Sequence, residues 1–165
     1  MISLNITEIK SFMANLFTNM MFDQFLLREL DVQTFSNYHI SGQCNETFFT
    51  KEELEERSED KFVLWSEVRK IALAMIKGNR TPLSLKIVFQ LSGKDTENLV
   101  KELAGKLNSD DVGGLFINIR FENGELHIIT GTAIKTFTLD KSLEQEWDTS
   151  VKNFLKKQGV AFEET

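Results

Sequence analysis

The sequence predicts a single α+β domain in which three or four helices cover a mainly antiparallel sheet. The chain has 165 residues, the length of one ordinary domain, so we expect one domain over 1–165 with a frayed tail at 160–165. An Asn-Gly pair separates two alternating runs, which is a strong hairpin signal. Helical patterns flank the predicted hairpins without regular β-α-β alternation, as in antiparallel sheets. Residues 2–42 and 83–132 share a β-α-β-β order, which suggests a worn internal duplication.

The N-terminal quarter is predicted to form a strand or helix cap, then one helix and two strands. Asn5 and Glu8 resemble a capping box, so the helix should begin near Ile6 and end around Thr18 or Asn19. Two extended segments rich in β-branched and aromatic residues follow, up to Gly42. A cluster of large apolar residues is expected to pack in the core, with the lining of a ligand cavity as the alternative: Met13, Phe17, Met20, Met21, Phe22 and Phe25.

The middle of the chain is predicted to contain a short acidic helix and a long amphipathic one. Thr50 and Glu53 form a second capping box, and Asp60 can cap the next helix. Residues 61–77 place their apolar side chains on one broad face, and Gly78 supplies the left-handed residue that ends a helix.

A strand and a further helix are predicted next. Pro82 precedes a clean alternation of apolar and polar residues over 83–91, which predicts a strand. Asp95 or Thr96 is expected to cap the following helix. The predicted buried stripe of that helix comprises Leu99, Val100, Leu103, Ala104 and Leu107.

The hairpin around Asn123 and Gly124 is predicted in register and has two distinct faces. If these two residues form a type I′ turn, Arg120 lies opposite His127. One face should then be buried: Leu115, Ile117, Ile119, Phe121, Leu126, Ile128 and Thr130. The other face should be mostly solvated: Asn118, Arg120, Glu122, Glu125 and His127.

The C-terminal segment is predicted to add a third strand and a final helix. Residues 133–139 alternate as a strand does, and Asp140 or Ser142 starts the helix. Its inward residues should be Leu143, Trp147, Val151, Phe154 and Leu155, with Gly159 just beyond the end.

Composition and charge argue against several classes of partner. The net charge of −6 disfavours nucleic acid, because the chain as a whole repels phosphate. The apolar runs are too short to cross a bilayer, so no membrane partner is expected. The start of the chain lacks the pattern of a secretory signal, and Cys44 is the only cysteine. We therefore expect a cytoplasmic protein.

The sequence contains no motif that predicts catalysis, a cofactor or a metal. His39, His127 and Cys44 lack the spacing of a zinc site, and no serine-hydrolase elbow or phosphate-binding loop is present. We expect no catalytic residue, no cofactor and no metal, although an enzyme whose site leaves no motif stays an alternative.

The solvated face of the hairpin is the candidate binding site. Arg120 would place a permanent positive charge beside His127, which titrates near neutral pH. We expect this face to bind an anionic ligand or a protein partner. The predicted function is that of a non-catalytic binding or protein-interaction module of unknown oligomeric state, and a protein that binds a small apolar ligand is the alternative.

Several local strings carry a resemblance to a known family. They are FDQFLL at 22–27, TPLS at 81–84, NIRFENG at 118–124, TGT at 130–132 and DKSLEQEW at 140–147. These resemble an uncharacterised clostridial (Firmicutes) family of unknown function over nearly the whole chain. The resemblance implies a bacterial cytoplasmic protein and brings no catalytic residues. Residues 114–131 are also similar in pattern to one subdomain of a DNA sliding clamp, which implies a clamp-like subdomain fold.

Overall fold

The computed structural model of the chain describes residues 1–76, 78, 80–103 and 107–165. Lys77, the last residue of the helix predicted over 61–77, and Ala104, in the predicted buried stripe of the following helix, therefore lie outside the described residues. The strands are β1 (Ser3–Ile6), β2 (Leu26–Gln33), β3 (Asn37–Ser41), β4 (Ser84–Gln90), β5 (Val112–Glu122), β6 (Glu125–Ile134) and β7 (Phe162–Glu164). The helices are α1 (Ile9–Thr18), α2 (Lys51–Glu56), α3 (Trp65–Ile76), α4 (Gly93–Glu102) and α5 (Ser142–Lys157).

The seven strands form one sheet in the order β3-β2-β4-β5-β6-β1-β7, and all neighbours are antiparallel. Helices α1, α3, α4 and α5 contribute buried residues to a single core with the strands, whereas α2 buries none. The α+β fold with an antiparallel sheet covered by helices is thus confirmed.

The β-α-β-β order occurs twice, as β1-α1-β2-β3 and as β4-α4-β5-β6. The strand pairing of the two units differs. Strand β4 pairs with β5 of its own unit, whereas β1 pairs with β6 of the other unit. The repeat therefore holds for the chain order of the elements and not for their places in the sheet.

The hairpin forms as predicted. Asn123 has φ 53° and Gly124 has φ 76°, and a type I′ turn requires positive φ at both central positions. Arg120 pairs with His127 in the predicted register. The predicted buried face is at most 5% exposed at every position: Leu115, Ile117, Ile119, Phe121, Leu126, Ile128 and Thr130.

Most of the predicted Met and Phe cluster belongs to the core, and Phe25 also lines a cleft between α4 and α5. Phe22 is fully buried and stacks on Phe89, with 5.0 Å between ring centroids. Met20 is the exception, since it is 76% exposed. The other members lie in the core or pack against it: Met13, Phe17, Met21, Phe22 and Phe25.

The predicted start of the first helix is wrong. Asn5 lies in β1, where it pairs with His127, and α1 begins only at Ile9. Glu8 occupies the cap position without a side-chain hydrogen bond. Pairing between β1 and a strand far along the chain prevails over the local capping pattern, because it buries Leu4 and Ile6.

Thr50 caps α2 as predicted, but Asp60 does not cap the next helix. The carboxylate of Asp60 accepts a hydrogen bond from the Gly93 backbone N–H at 3.1 Å, whereas Thr50 Oγ1 accepts one from the Glu53 N–H. Helix α3 begins at Trp65 instead of residue 61, since the preceding residues 62–64 bridge to the sheet region.

Helix α4 begins earlier than predicted and is shorter. Its cap is Ser92, whose hydroxyl accepts a hydrogen bond from the Asp95 N–H at 3.3 Å, so neither Asp95 nor Thr96 is the cap. The helix ends at Glu102, and its buried residues are Thr96 and Val100. The predicted stripe is correspondingly truncated, because Leu103 follows the last helical turn.

The predicted third strand at 133–139 does not form. Strand β6 continues to Ile134, so residues 133 and 134 belong to β6 and pair with β5. Phe137 and Leu139, which lie beyond the end of β6, are more than 80% exposed.

The C-terminal residues form a strand instead of the expected frayed tail. Phe162 pairs with Ile6, so β7 satisfies the outer edge of β1. Val160 is buried and anchors the segment after α5.

Helix α5 begins at Ser142 as predicted, and Asp140 Oδ1 accepts a hydrogen bond from the Ser142 N–H at 2.9 Å. Gly159, just beyond its end, has φ +74°. Its buried residues are Leu143, Trp147, Val151 and Leu155. Although α5 has 16 residues, none of the described helices combines the length and apolar character needed to cross a bilayer.

Candidate functional site

The sheet surface opposite the four packed helices is only partly covered, and we refer to it as the open face. Along β5 the buried residues alternate with half-buried or exposed ones, which are Phe116, Asn118, Arg120 and Glu122. The same alternation runs along β4 and most of β6. Since side chains alternate between the faces of a strand, the partly exposed set points to the open face.

The strand registers align one polar row across the open face. Directly opposed residues share a face, so the pairings follow the row from strand to strand. The polar row consists of His39, Asp31, Lys86, Arg120, His127, Asn5 and Glu163. Its two histidines are four strands apart, about 19 Å at roughly 4.8 Å per strand. The predicted pair of Arg120 and His127 is therefore the centre of a longer row.

The structure brings all five predicted site residues together on this face. Asn118 Nδ2 donates a hydrogen bond to the Ile129 carbonyl at 3.2 Å, and His127 Nε2 lies 3.2 Å from Glu125 Oε2. Arg120 and Glu122 are exposed. A shallow depression of about 340 Å³ is lined by neighbouring residues and by four of the five predicted ones, which are Arg120, Glu122, Glu125 and His127.

Arg120 differs from the other charged members of the polar row that lie in β2 to β6. Lys86 Nζ lies 2.8 Å from Glu29 Oε1, and His39 Nδ1 lies 2.6 Å from Asp31 Oδ1. Arg120 forms no ion pair with any described residue. Because Lys86 stands directly opposite Arg120, two positive charges lie side by side, and like charges in this position destabilise a sheet.

His127 is held in one orientation. Nε2–H donates to the Glu125 carboxylate, which can only accept, and the other ring nitrogen is Nδ1. This Nδ1 is buried and has no hydrogen-bond partner within the described chain. A hydrogen-bonding group that reached Nδ1 would recover the free energy of one hydrogen bond, about 1 kcal/mol.

An arginine between two aromatic rings closes one end of the open face, and sequence reasoning missed it. The Arg28 guanidinium carbon lies 4.0 Å from the Phe62 ring centroid and 5.6 Å from that of Phe116. Arg28 Nη1 also donates to Gln90 Oε1 at 3.0 Å. Arg28 stands at a register shift of β2, between Leu27 and Glu29. A bulge of this kind leaves no local sequence signal, which is why the arrangement was not predicted.

The single cysteine, Cys44, lies beside an ion pair. Two guanidinium nitrogens of Arg57 each donate to Glu67 at 2.8 Å. This hydrogen bonding lowers the pKa of Glu67 and raises the pKa of Arg57, and Cys44 contributes to the latter to a smaller extent. The parts of the chain that are described contain no group of three or more residues arranged to hold a metal ion.

A model of a family of unknown function, DUF5721, matches residues 15–163, and this match covers most of the chain. It extends from α1 into β7 and includes every strand from β2 to β6. No curated protein and no solved structure matches the chain. The clostridial origin and the clamp-like pattern of the hairpin stay predictions.

Proposed function

We propose that this chain, which belongs to the DUF5721 family, is a protein-interaction module that holds its partner on the open face. The observation that carries the proposal is the pair of Lys86 and Arg120, which stand directly opposite each other at the centre of that face. Glu29 offsets the charge of Lys86, whereas the charge of Arg120 is not offset by a described residue. A carboxylate from a partner would relieve this repulsion and could bind the guanidinium in a bidentate manner.

The neighbouring row carries the opposite charge. Glu122 stands opposite Glu125, and each is two residues from the polar row, about 7 Å along its strand. A complementary partner would thus present an acidic group and a basic group about 7 Å apart. Alternating charge of this kind gives specificity between proteins, whereas nucleic acid requires a field of one positive sign.

The open face is wide enough for a protein interface. Its seven strands are separated by six spacings of about 4.8 Å, so they span about 29 Å. A standard interface buries roughly 800 Å² on each partner, an area of comparable width. Arginine is enriched among the residues that dominate binding energy, which favours Arg120 as the central contact.

Photo-crosslinking tests the proposal in cells. We expect a photoreactive residue at Gln33 or at Glu122, both exposed on the open face, to capture the same protein. A photoreactive residue at Lys70, which is exposed on the helical side in α3, is the matched control and should not capture it. Capture of the same proteins from all three positions would contradict the proposal, because it would reflect proximity without a preferred face.

A further inference from the structure

A second surface with a different chemistry lies on the helical side of the sheet. A cleft of about 280 Å³ opens between α4 and α5. Its lining includes Phe25, Ile117 and Trp147, which are buried core residues, together with Leu99 and Phe154. The cleft is therefore an apolar recess of a size that accepts a bulky side chain.

The rim of this cleft on α4 is acidic. Asp95, Asn98 and Glu102 line it, and their spacing of three, four and seven residues places them on one side of the helix. The two carboxylates are seven residues apart, about 10.5 Å along the helix axis. The lining residues from α5 carry no charge, so all the charge of the lining is negative and lies on α4.

The two rim carboxylates are exposed. Neither Asp95 nor Glu102 forms an ion pair with a residue that the structure describes. Glu102 is also the last residue of α4, where the helix dipole disfavours a negative charge. A bound cation would form an ion pair with Glu102 and offset the unfavourable interaction with the helix dipole.

We propose that the cleft binds an amphipathic basic helix of a partner protein. Its bulky apolar residue enters the recess between α4 and α5, and two lysines or arginines seven residues apart pair with Asp95 and Glu102. Seven residues are two helical turns, so both cations and the apolar residue between them lie on one face of the bound helix. This is the helix-in-groove mode of recognition. The cleft lies on the opposite side of the sheet from the open face, so the inference is independent of the proposed function.

A designed peptide tests this inference directly. The probe is a fluorescein-labelled synthetic helix with lysines at positions i and i+7 and leucines at i+3 and i+4, titrated into the full chain by anisotropy. We expect saturable binding that Asp95→Lys with Glu102→Lys weakens at least tenfold. The same double variant should bind a peptide that has glutamates in place of the two lysines.

Two internal controls accompany the titration. Glu97→Lys changes a carboxylate of α4 that is exposed and outside the cleft lining, and it should leave the affinity unchanged. Binding should also change the fluorescence of Trp147 in the cleft, whereas Trp65 lies fully buried in the core. Urea unfolding of each variant shows that it is folded in the titration.

Several results would overturn the inference. These are the absence of saturable binding, equal weakening by Glu97→Lys, and equally tight binding of a peptide with the same composition in scrambled order. Dimerisation in sedimentation experiments that the double variant abolishes would assign the cleft to a second copy. Quenching of Trp147 by a small aromatic amine, without binding of the peptide, would assign it to a small molecule.

Discussion

Phe22→Ala should lower the free energy of unfolding by about 3–5 kcal/mol, the range for deletion of a fully buried phenyl ring. Phe22 is 0% exposed and contacts rings from three separate elements. The centroid distances are 5.9 Å to Phe12 of α1, 5.0 Å to Phe89 of β4 and 5.5 Å to Phe154 of α5. The cavity left by the substitution would lie where two helices meet the sheet, so it cannot collapse without moving all three.

Urea denaturation followed by circular dichroism measures this loss. Met20→Ala is the matched control, because Met20 lies in the same turn and is 76% exposed. We expect the control to change the free energy of unfolding by less than about 0.5 kcal/mol. Equal destabilisation by the two substitutions would contradict the assignment of Phe22 to the core.

Asp23→Ala should cost about 3–5 kcal/mol of stability, because it leaves a guanidinium largely buried without its partner. Arg69 Nε lies 2.9 Å from Asp23 Oδ1, and Arg69 Nη2 lies 3.2 Å from Asp23 Oδ2. The two side chains are only 15% and 10% exposed. Arg69 Nη1 also donates to the Thr18 carbonyl, so the pair ties α3 to the end of α1.

Two controls separate the burial of charge from the loss of a contact. Glu29→Ala breaks an ion pair with Lys86 whose partners are 36% and 39% exposed, and it should cost at most about 1 kcal/mol. Replacing both partners, as Asp23→Leu with Arg69→Met, should be less damaging than Asp23→Ala alone, since no unpaired charge remains. The account of the buried pair would be contradicted if Asp23→Ala did not have the lowest urea unfolding midpoint of the three variants.

Local chemistry explains which parts of the fold could be predicted. The register of β5 and β6 follows from the turn residues Asn123 and Gly124, whose conformation sets the pairing of every residue in the hairpin. Strands β1 and β7 are short, and each forms by pairing with a segment that is far away along the chain. Their sequences also satisfy a capping pattern or a free tail, and local signals cannot decide between such alternatives.

The distinction between local signals and long-range pairing also applies to the open face and to the cleft between α4 and α5. Arg120 and His127 could be placed opposite each other because they belong to one hairpin. The rest of the polar row depends on the pairing of β2 with β4 and of β1 with β6, which no local pattern indicates. The cleft between α4 and α5 likewise depends on where two helices settle on the sheet, and periodicity reports only the side that each helix buries.

The affinity of Arg120→Ala for the partner captured through Glu122 tests most directly whether the open face is the binding surface. The account predicts a dissociation constant at least tenfold higher than that of the unchanged chain, a loss of about 1.4 kcal/mol or more. Lys70→Ala, which removes an exposed cation of α3, should leave the constant unchanged. Equal dissociation constants for the unchanged chain, Arg120→Ala and Lys70→Ala would contradict the account.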